Sequence, residues 1–217
     1  MKDGQGHALI NGPVSKKAFL NKKYPGVTEY ISSKTKTLGK EVMLIYNQNL
    51  SVSPTTTHIP LNKVAKNLSY KKLIKQIKTI NSFYIKNLKY KPKIGICGIN
   101  PHCETSSKIN EEEKIITPAI KTLKNKKITV SGPFSADTIF TKNNKKKFDV
   151  IIGMYHDQVL SPMKALYNFD AINVTLGLPF LRVSPDHGPN YQMIGQNKSD
   201  PTSLKKSFQF VTKFNGI

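Results

Sequence analysis

Short apolar runs of strand length alternate with segments of helical period along this whole chain, and several of the runs carry no polar residue at every second position. Residues 7–10, 41–46, 50–57, 93–99, 128–130, 149–154 and 171–176 read as strands. A strand with polar residues on alternate positions keeps one face in water. A strand without them is covered on both faces, which is the situation of a parallel sheet with helices on either side.

The segments between the runs supply the helices. From Tyr70 onward, Leu73, Ile74, Ile77, Ile80, Tyr84 and Leu88 fall on one face, with Lys71, Lys72, Lys75 and Lys78 on the other. This is the stripe of a packing helix. A second helix is expected to open near Asn110, with Glu111 to Glu113 at its positive end and Ile115, Ile116, Ala119, Ile120 and Leu123 facing inward. Pro118 should kink or split it. A last helix, opened by Pro201, carries Leu204, Phe208, Val211 and Phe214. Strand and helix alternating in this way predict an α/β fold with mainly parallel sheet or sheets flanked by helices. The 217 residues are read as a single region, with one weak division near 88–92.

Charge narrows the partners. Lys plus Arg total 34 against 13 acidic residues, a formal +21, which is the usual footprint of a binder of nucleic acid or of acidic surfaces. Yet a single residue of the 34, Arg182, is an arginine. Sites that read phosphates or bases favour the planar guanidinium fork, so a solvated lysine-rich surface is favoured over a nucleic-acid groove. No apolar run approaches the ~20 residues of a membrane span, and the first residues carry no secretory signal. Cys97 and Cys103 show no disulfide-like pattern, which points to a reducing cytoplasm.

Three of the five histidines stand in polar, turn-forming surroundings after expected strands: His58, His102 and His156. Strand ends are where open α/β sheets bind ligands. Three neutral imidazoles suit Zn²⁺ or a similar ion, although from spacing alone ordinary hydrogen-bonded strand-end histidines explain them as well. Lys164, Asn173 and Arg182 combine a point charge, a neutral donor and a bidentate fork, a set that suits a small phosphorylated substrate. Each has a plainer reading: a surface lysine, a strand-capping asparagine, an arginine paired with Asp186. Cys97 reads as a small core residue, and Cys103 as a thiol beside a histidine. No Gly-x-Gly-x-x-Gly, P-loop or Gly-x-Ser-x-Gly motif is present, which argues against a Rossmann fingerprint, a P-loop and a serine hydrolase.

Seven stretches together resemble the family of 4-hydroxythreonine-4-phosphate dehydrogenases. They are Ala8-Leu9-Ile10-Asn11-Gly12-Pro13-Val14-Ser15-Lys16, Gly26-Val27-Thr28-Glu29, Thr57-His58-Ile59-Pro60-Leu61, Gly98-Ile99-Asn100-Pro101-His102, Pro133-Phe134-Ser135-Ala136-Asp137-Thr138, Met154-Tyr155-His156-Asp157-Gln158, and Asn173 to Arg182 with Asp186-His187-Gly188. They occur in the family's order over nearly the whole chain. The resemblance implies an NAD-dependent oxidation and decarboxylation in pyridoxal phosphate biosynthesis, on an architecture similar to isocitrate and isopropylmalate dehydrogenases. It places metal ligands on His58, His102 and His156, with zinc the first candidate and magnesium or cobalt the others. It places substrate contacts on Thr28, Lys164, Asn173 and Arg182, catalytic carboxylates on Asp137 and Asp157, and cofactor contacts on His187 and Gly188. It further implies a homodimer with a shared active site, in which the ligand corresponding to His156 comes from the second subunit.

The chain departs from the family pattern at several points. Val27 stands where the family has a histidine, Ser15 replaces another histidine, and the glycine-rich stretch after His102 reads Cys103-Glu104-Thr105-Ser106-Ser107. Gly188-Pro189-Asn190 replaces small residues at the adenosine turn. A front segment of the family has no counterpart, so the chain reads as N-terminally truncated: a fragment, a mis-assigned start or a short form. Two other functions follow as alternatives. One is a dehydrogenase of a related four-carbon acid phosphate such as threonate or erythronate, which Val27 would allow. The other is an inactive fragment or a basic nucleic-acid-associated protein.

Overall fold

A computed structural model describes residues 6–15, 23–24, 26–104 and 110–215. Lys16 and residues 105–107 of the stretches above, together with residues 1–5, lie outside the described residues. In chain order the main elements are β1 (Ala8–Ile10), α1 (Val27–Lys34), β2 (Val42–Tyr46), β3 (Ser51–Pro54), α2 (Tyr70–Phe83), β4 (Ile94–Cys97) and α3 (Thr117–Asn125). There follow β5 (Val130–Phe134), β6 (Val150–Gly153), α4 (His156–Tyr167), β7 (Ile172–Leu176), β8 (Leu181–Pro185) and α5 (Thr202–Asn215). The chain divides into two compact units, Gln48–Leu166 and the pair Met1–Asn47 with Tyr167–Ile217. Residues 88–92, where a division was expected, fall inside the first of these.

The Gln48–Leu166 unit holds a sheet in the order β3-β6-β4-β5, with every pairing parallel. β6 is central, matching Val150 to both Ser51 and Ile94. Its residues Val150, Ile151 and Ile152 are wholly buried, as an uninterrupted apolar run requires in a sheet covered on both faces. Each such side chain contributes about 1.5–3 kcal/mol by leaving water. Ser69 caps α2 by accepting from the Lys72 amide, while Leu73, Ile77, Ile80 and Phe83 point inward and the four lysines outward. The helix expected near Asn110 takes two forms. A π-helical turn, Glu112–Ile116, leads into α3, with Pro118 in its first turn. The wide turn accommodates the proline ring, which would otherwise meet the carbonyl four residues earlier.

In the other unit β1 runs parallel to β8, while β7 is antiparallel to both β8 and β2. β8 was not expected, because a strand broken by Arg182 and ended by Pro185 lacks an apolar run. α4 was not expected either: it buries Gln158, Val159 and Met163 alone and carries Pro162 inside it. α5 turns a different face inward from the expected one. Ser203, Ser207 and Phe210 are buried, whereas Leu204 and Phe208 are exposed. The Ser203 hydroxyl donates to the Ala171 carbonyl at 2.5 Å and accepts from the Asp186 amide at 2.9 Å, so hydrogen bonding fixes the helix rotation. Among the described residues no helix is long and apolar enough to cross a membrane.

Gly177, between β7 and β8, has φ +85°, and a Cβ there would run into the Lys40 carbonyl oxygen. Gly39 has a similar φ of +77° with nothing within 4 Å of a Cβ. Gly177→Ala should cost on the order of 3 kcal/mol and Gly39→Ala about 1 kcal/mol, read from denaturant unfolding of the two variants. Equal costs would show that the backbone angle alone, and not the contact with Lys40, sets the requirement for glycine.

Candidate functional site

Because β3, β6, β4 and β5 are parallel, their carboxyl ends lie along one edge of the sheet, and the residues that follow them share it. His58 follows β3, His102 follows β4, Asp137 sits in the helical turn Ala136–Ile139 after β5, and His156 opens α4 after β6. The His58 and His156 rings lie 5.9 Å apart between centroids, tilted by 41°. His156 Nδ1 lies 2.6 Å from Asp157 Oδ1. In the tautomer where Nδ1 donates, Nε2 is left with its lone pair, the arrangement in which a carboxylate orients an imidazole toward a cation. His102 does not join the other two: no three His, Cys, Asp or Glu side chains among the described residues are gathered closely enough to hold an ion. The donor chemistry nonetheless fits a borderline divalent ion, with three imidazoles following adjacent parallel strands and one of them already oriented by a carboxylate. Within the chain His156 pairs with His58, so the imidazole that stands apart is that of His102. Lys164 lies on α4, about two turns beyond His156.

The loop carrying His102 is held by a residue that its glutamate-rich surroundings conceal. Glu112 is buried, and its Oε1 accepts from the Ile99 and Asn100 amides at 2.7 and 2.8 Å while Oε2 accepts from Asn100 Nδ2 at 2.8 Å. Burial pushes the Glu112 pKa up, but the hydrogen bonds from Asn100 and Ile99 outweigh it and hold the carboxyl below the usual glutamate range. His102 and Cys103 both have left-handed backbone, with φ of 55° and 63°. Such residues cost of order 1 kcal/mol or more each and persist where neighbouring contacts dictate them. Gly98 completes the arrangement: a Cβ there would lie 2.7 Å from Cys103 Sγ and 2.8 Å from Glu112 Oε1. Burial raises the Cys103 pKa, the direction opposite to that of an activated thiolate. Cys97 is fully buried and pushed up to about 12, first by desolvation and then by Cys103, as befits a core residue.

In the Met1–Asn47 and Tyr167–Ile217 unit, Arg182 on β8 is buried. Its Nε donates to Asn11 Oδ1 at 2.8 Å, and Nη1 donates to Thr175 Oγ1 at 2.8 Å and Thr28 Oγ1 at 3.3 Å. Desolvation lowers its pKa to about 10, against an opposing pull from Glu29. Its hydrogen-bond partners are neutral oxygens, which orient the guanidinium fork while Glu29 acts on it only as a neighbouring charge, an arrangement that suits an incoming anion. Asn173 shares a face of β7 with Thr175, and its Oδ1 is buried without a hydrogen-bond partner among the described residues. Thr28 and Arg182 are therefore brought together, with Asn173 nearby on the same ladder. Asn11 and Thr175 were missed as partners. Asn11 lies in the first family stretch, and Thr175 follows Asn173 by the strand period of two, which was the available signal.

His187 and Gly188 lie exposed just after β8. His187 Nδ1 lies 3.2 Å from the Gly188 carbonyl, and its ring meets the Phe169 ring edge-on with centroids 6.0 Å apart. This leaves an aromatic surface and an open glycine turn side by side.

A family model for the pyridoxal phosphate biosynthetic protein PdxA matches residues 1–211. A 4-hydroxythreonine-4-phosphate dehydrogenase from Sulfurihydrogenibium sp. is 42% identical over 209 residues, which are 94% of this chain and 64% of that protein. A D-threonate 4-phosphate dehydrogenase from Pectobacterium atrosepticum is 33% identical over 211 residues, 96% of this chain and 64% of that one. Among solved structures, a 4-hydroxythreonine-4-phosphate dehydrogenase from Klebsiella pneumoniae superposes with a TM-score of 0.82 at 31% identity, covering 98% of this chain and 66% of that one. A β-decarboxylating dehydrogenase from Thermococcus kodakarensis shares the fold, with a TM-score of 0.62 at 12% identity over 98% of this chain and 67% of that one. The chain thus spans a little under two thirds of the length of the curated relatives it matches. With a family model matched over residues 1–211, the chain belongs to the PdxA family of pyridoxal phosphate biosynthetic proteins.

Proposed function

We propose that the chain carries the NAD-dependent, divalent-metal-assisted oxidation of 4-phosphooxy-L-threonine, with loss of CO₂ to give 3-amino-2-oxopropyl phosphate, in pyridoxal 5'-phosphate biosynthesis. The observation that carries this reading is the buried Arg182, a guanidinium pre-oriented by neutral hydrogen-bond partners in a chain that belongs to this family. Arg182 and Thr28 grip the phosphate, with Asn173 turning its unsatisfied oxygen to a donor on the substrate, and Lys164 is a further candidate substrate contact. Binding energy gathered at that remote group fixes the geometry of the reacting carbon. His58, His102 and His156 offer the imidazole lone pairs for the ion, and Asp157 fixes the orientation of the His156 ring. When bound, a divalent ion, zinc first among the candidates, would supply Lewis acidity toward the hydroxyl, and NAD would supply the hydride acceptor. Asp137, exposed at the same sheet edge as the histidines, accepts the hydroxyl proton. His187 and Gly188, beside Phe169, receive the adenosine part of NAD. The enzyme works as a homodimer in the cytoplasm, and its two cysteines are free thiols.

A second substrate has a specific reason behind it. Val27 stands where the family has a histidine, and the Pectobacterium relative is named for D-threonate 4-phosphate. Turnover on both compounds decides between them: the reading predicts the higher kcat/KM on 4-phosphooxy-L-threonine, and a preference for D-threonate 4-phosphate would replace it. Arg182→Lys keeps the charge but loses the fork, and should lower kcat/KM by ~10–100-fold through KM for the phosphorylated substrate, with KM for NAD unchanged. Elemental mass spectrometry should find about one divalent ion per chain, lost in His102→Ala. A folded protein without metal above background would remove the ion from the mechanism.

A further inference from the structure

The three histidine loops are joined by one buried chain of hydrogen bonds, and its centre is a side chain to which the proposed reaction gives no task. Gln158 is buried on α4. Its Oε1 accepts from the Met154 amide at 2.6 Å, which closes the turn that leads into His156. Its Nε2 donates to the Gly98 carbonyl at 2.8 Å, at the start of the loop that carries His102. From Met154 the chain continues to the third loop, since the Met154 carbonyl accepts from both the hydroxyl and the amide of Thr56, at 2.7 and 3.1 Å, just before His58. On the other side, Glu112 holds the amides of Ile99 and Asn100. All these residues lie in the Gln48–Leu166 unit.

We infer that Gln158 is a positioning residue, which sets the register between the turn carrying His156 and the loop carrying His102. The reason is geometric. The Met154 contact is local and a shorter side chain or a water could replace it, whereas the Gly98 contact joins segments 60 residues apart in sequence. An amide is the group that can accept from one backbone and donate to another through a single rigid plane. Glutamate would present an oxygen to the Gly98 carbonyl, and methionine would leave both backbone groups without a partner. The loop so held contains two left-handed residues in succession and does not select that geometry by itself. Thr56 ties the His58 loop to Met154 and Glu112 holds the His102 loop, but among the described residues Gln158 is the side chain that ties the His102 loop to the turn carrying His156.

The inference rests on the reading of the three histidines as metal ligands, and the test separates the two. The purified chain is titrated with Co²⁺ and followed by its visible absorption. Gln158→Met and Gln158→Glu are compared with Gln76→Met, a control in the same unit whose amide donates to Ser53 Oγ on β3 at 2.8 Å and takes no part in the bonds described above. The Gln158 variants should bind Co²⁺ ~10–100-fold more weakly with an altered spectrum, while Gln76→Met should bind it as the unaltered chain does. Unchanged affinity and spectrum in the Gln158 variants would overturn the inference, and so would equal weakening in Gln76→Met. Should Gln158→Met fail to fold, Gln158→Glu decides, because it keeps the bond from the Met154 amide. If the unaltered chain takes up no Co²⁺, the metal assignment falls by itself. The register is then read without metal from the imidazole ¹H–¹⁵N resonances: movement of the His102 and His156 signals in the Gln158 variants alone supports the inference, and unmoved signals overturn it.

Discussion

The parallel pairing of β6 with both β3 and β4 is the constraint on which the candidate chemistry depends. Parallel strands force their connections to cross the sheet, so every carboxyl end faces the same way. Three histidines separated by long stretches of sequence are thereby delivered to one edge, and Asp137 joins them after β5. The hydrophobic effect does the selecting. Val150, Ile151 and Ile152 have no polar face to offer water, so β6 is stable in the middle of the sheet and nowhere else. The loops at the edge, in contrast, carry strained backbone and buried polar atoms, and each of these needs a named partner. Glu112, Gln158 and Thr56 are those partners.

Much of this was legible in the sequence because it follows from period and composition. The α/β class, the run that became β6 and the buried stripe of α2 come from apolar spacing, and the histidines stood out by their turn-forming neighbours. What could not be read depends on particular hydrogen bonds. α5 turns Ser203 and Ser207 inward in place of Leu204 and Phe208, because two backbone groups require the Ser203 hydroxyl more than the core requires a leucine. α4 was hidden by Pro162 and by a first turn of polar residues. β8 was hidden because its second side chain is a buried arginine, which apolar patterning counts against a strand. Glu112 looked like one more acid near a helix start, and only the loop folded around it shows otherwise. The close approach of His58 to His156, with His102 outside the pair, has no signature in spacing at all.

The two kinds of positive charge in this chain behave differently. The lysines of α2 lie on its outer face, solvated and individually weak. Arg182 gives up hydration and is held instead by Asn11, Thr28 and Thr175, none of which carries a charge. A net +21 therefore says little about recognition, while a single buried guanidinium says a good deal. The same contrast separates Asp157, mostly exposed beside His156, from Glu112, whose buried carboxylate serves the backbone.

The two cysteines turn the His102 loop into something an experimenter can watch. Cys97, fully buried with its thiol pushed up to about 12, presents almost no thiolate to a reagent while the fold is intact. Cys103 is partly open, one residue from His102, and packs on Gly98 at the start of the same loop. An alkylating dye added to the native chain therefore selects one sulfur out of two without mutagenesis. Its rate of attachment becomes a clock for how often the loop around His102 loosens its hold.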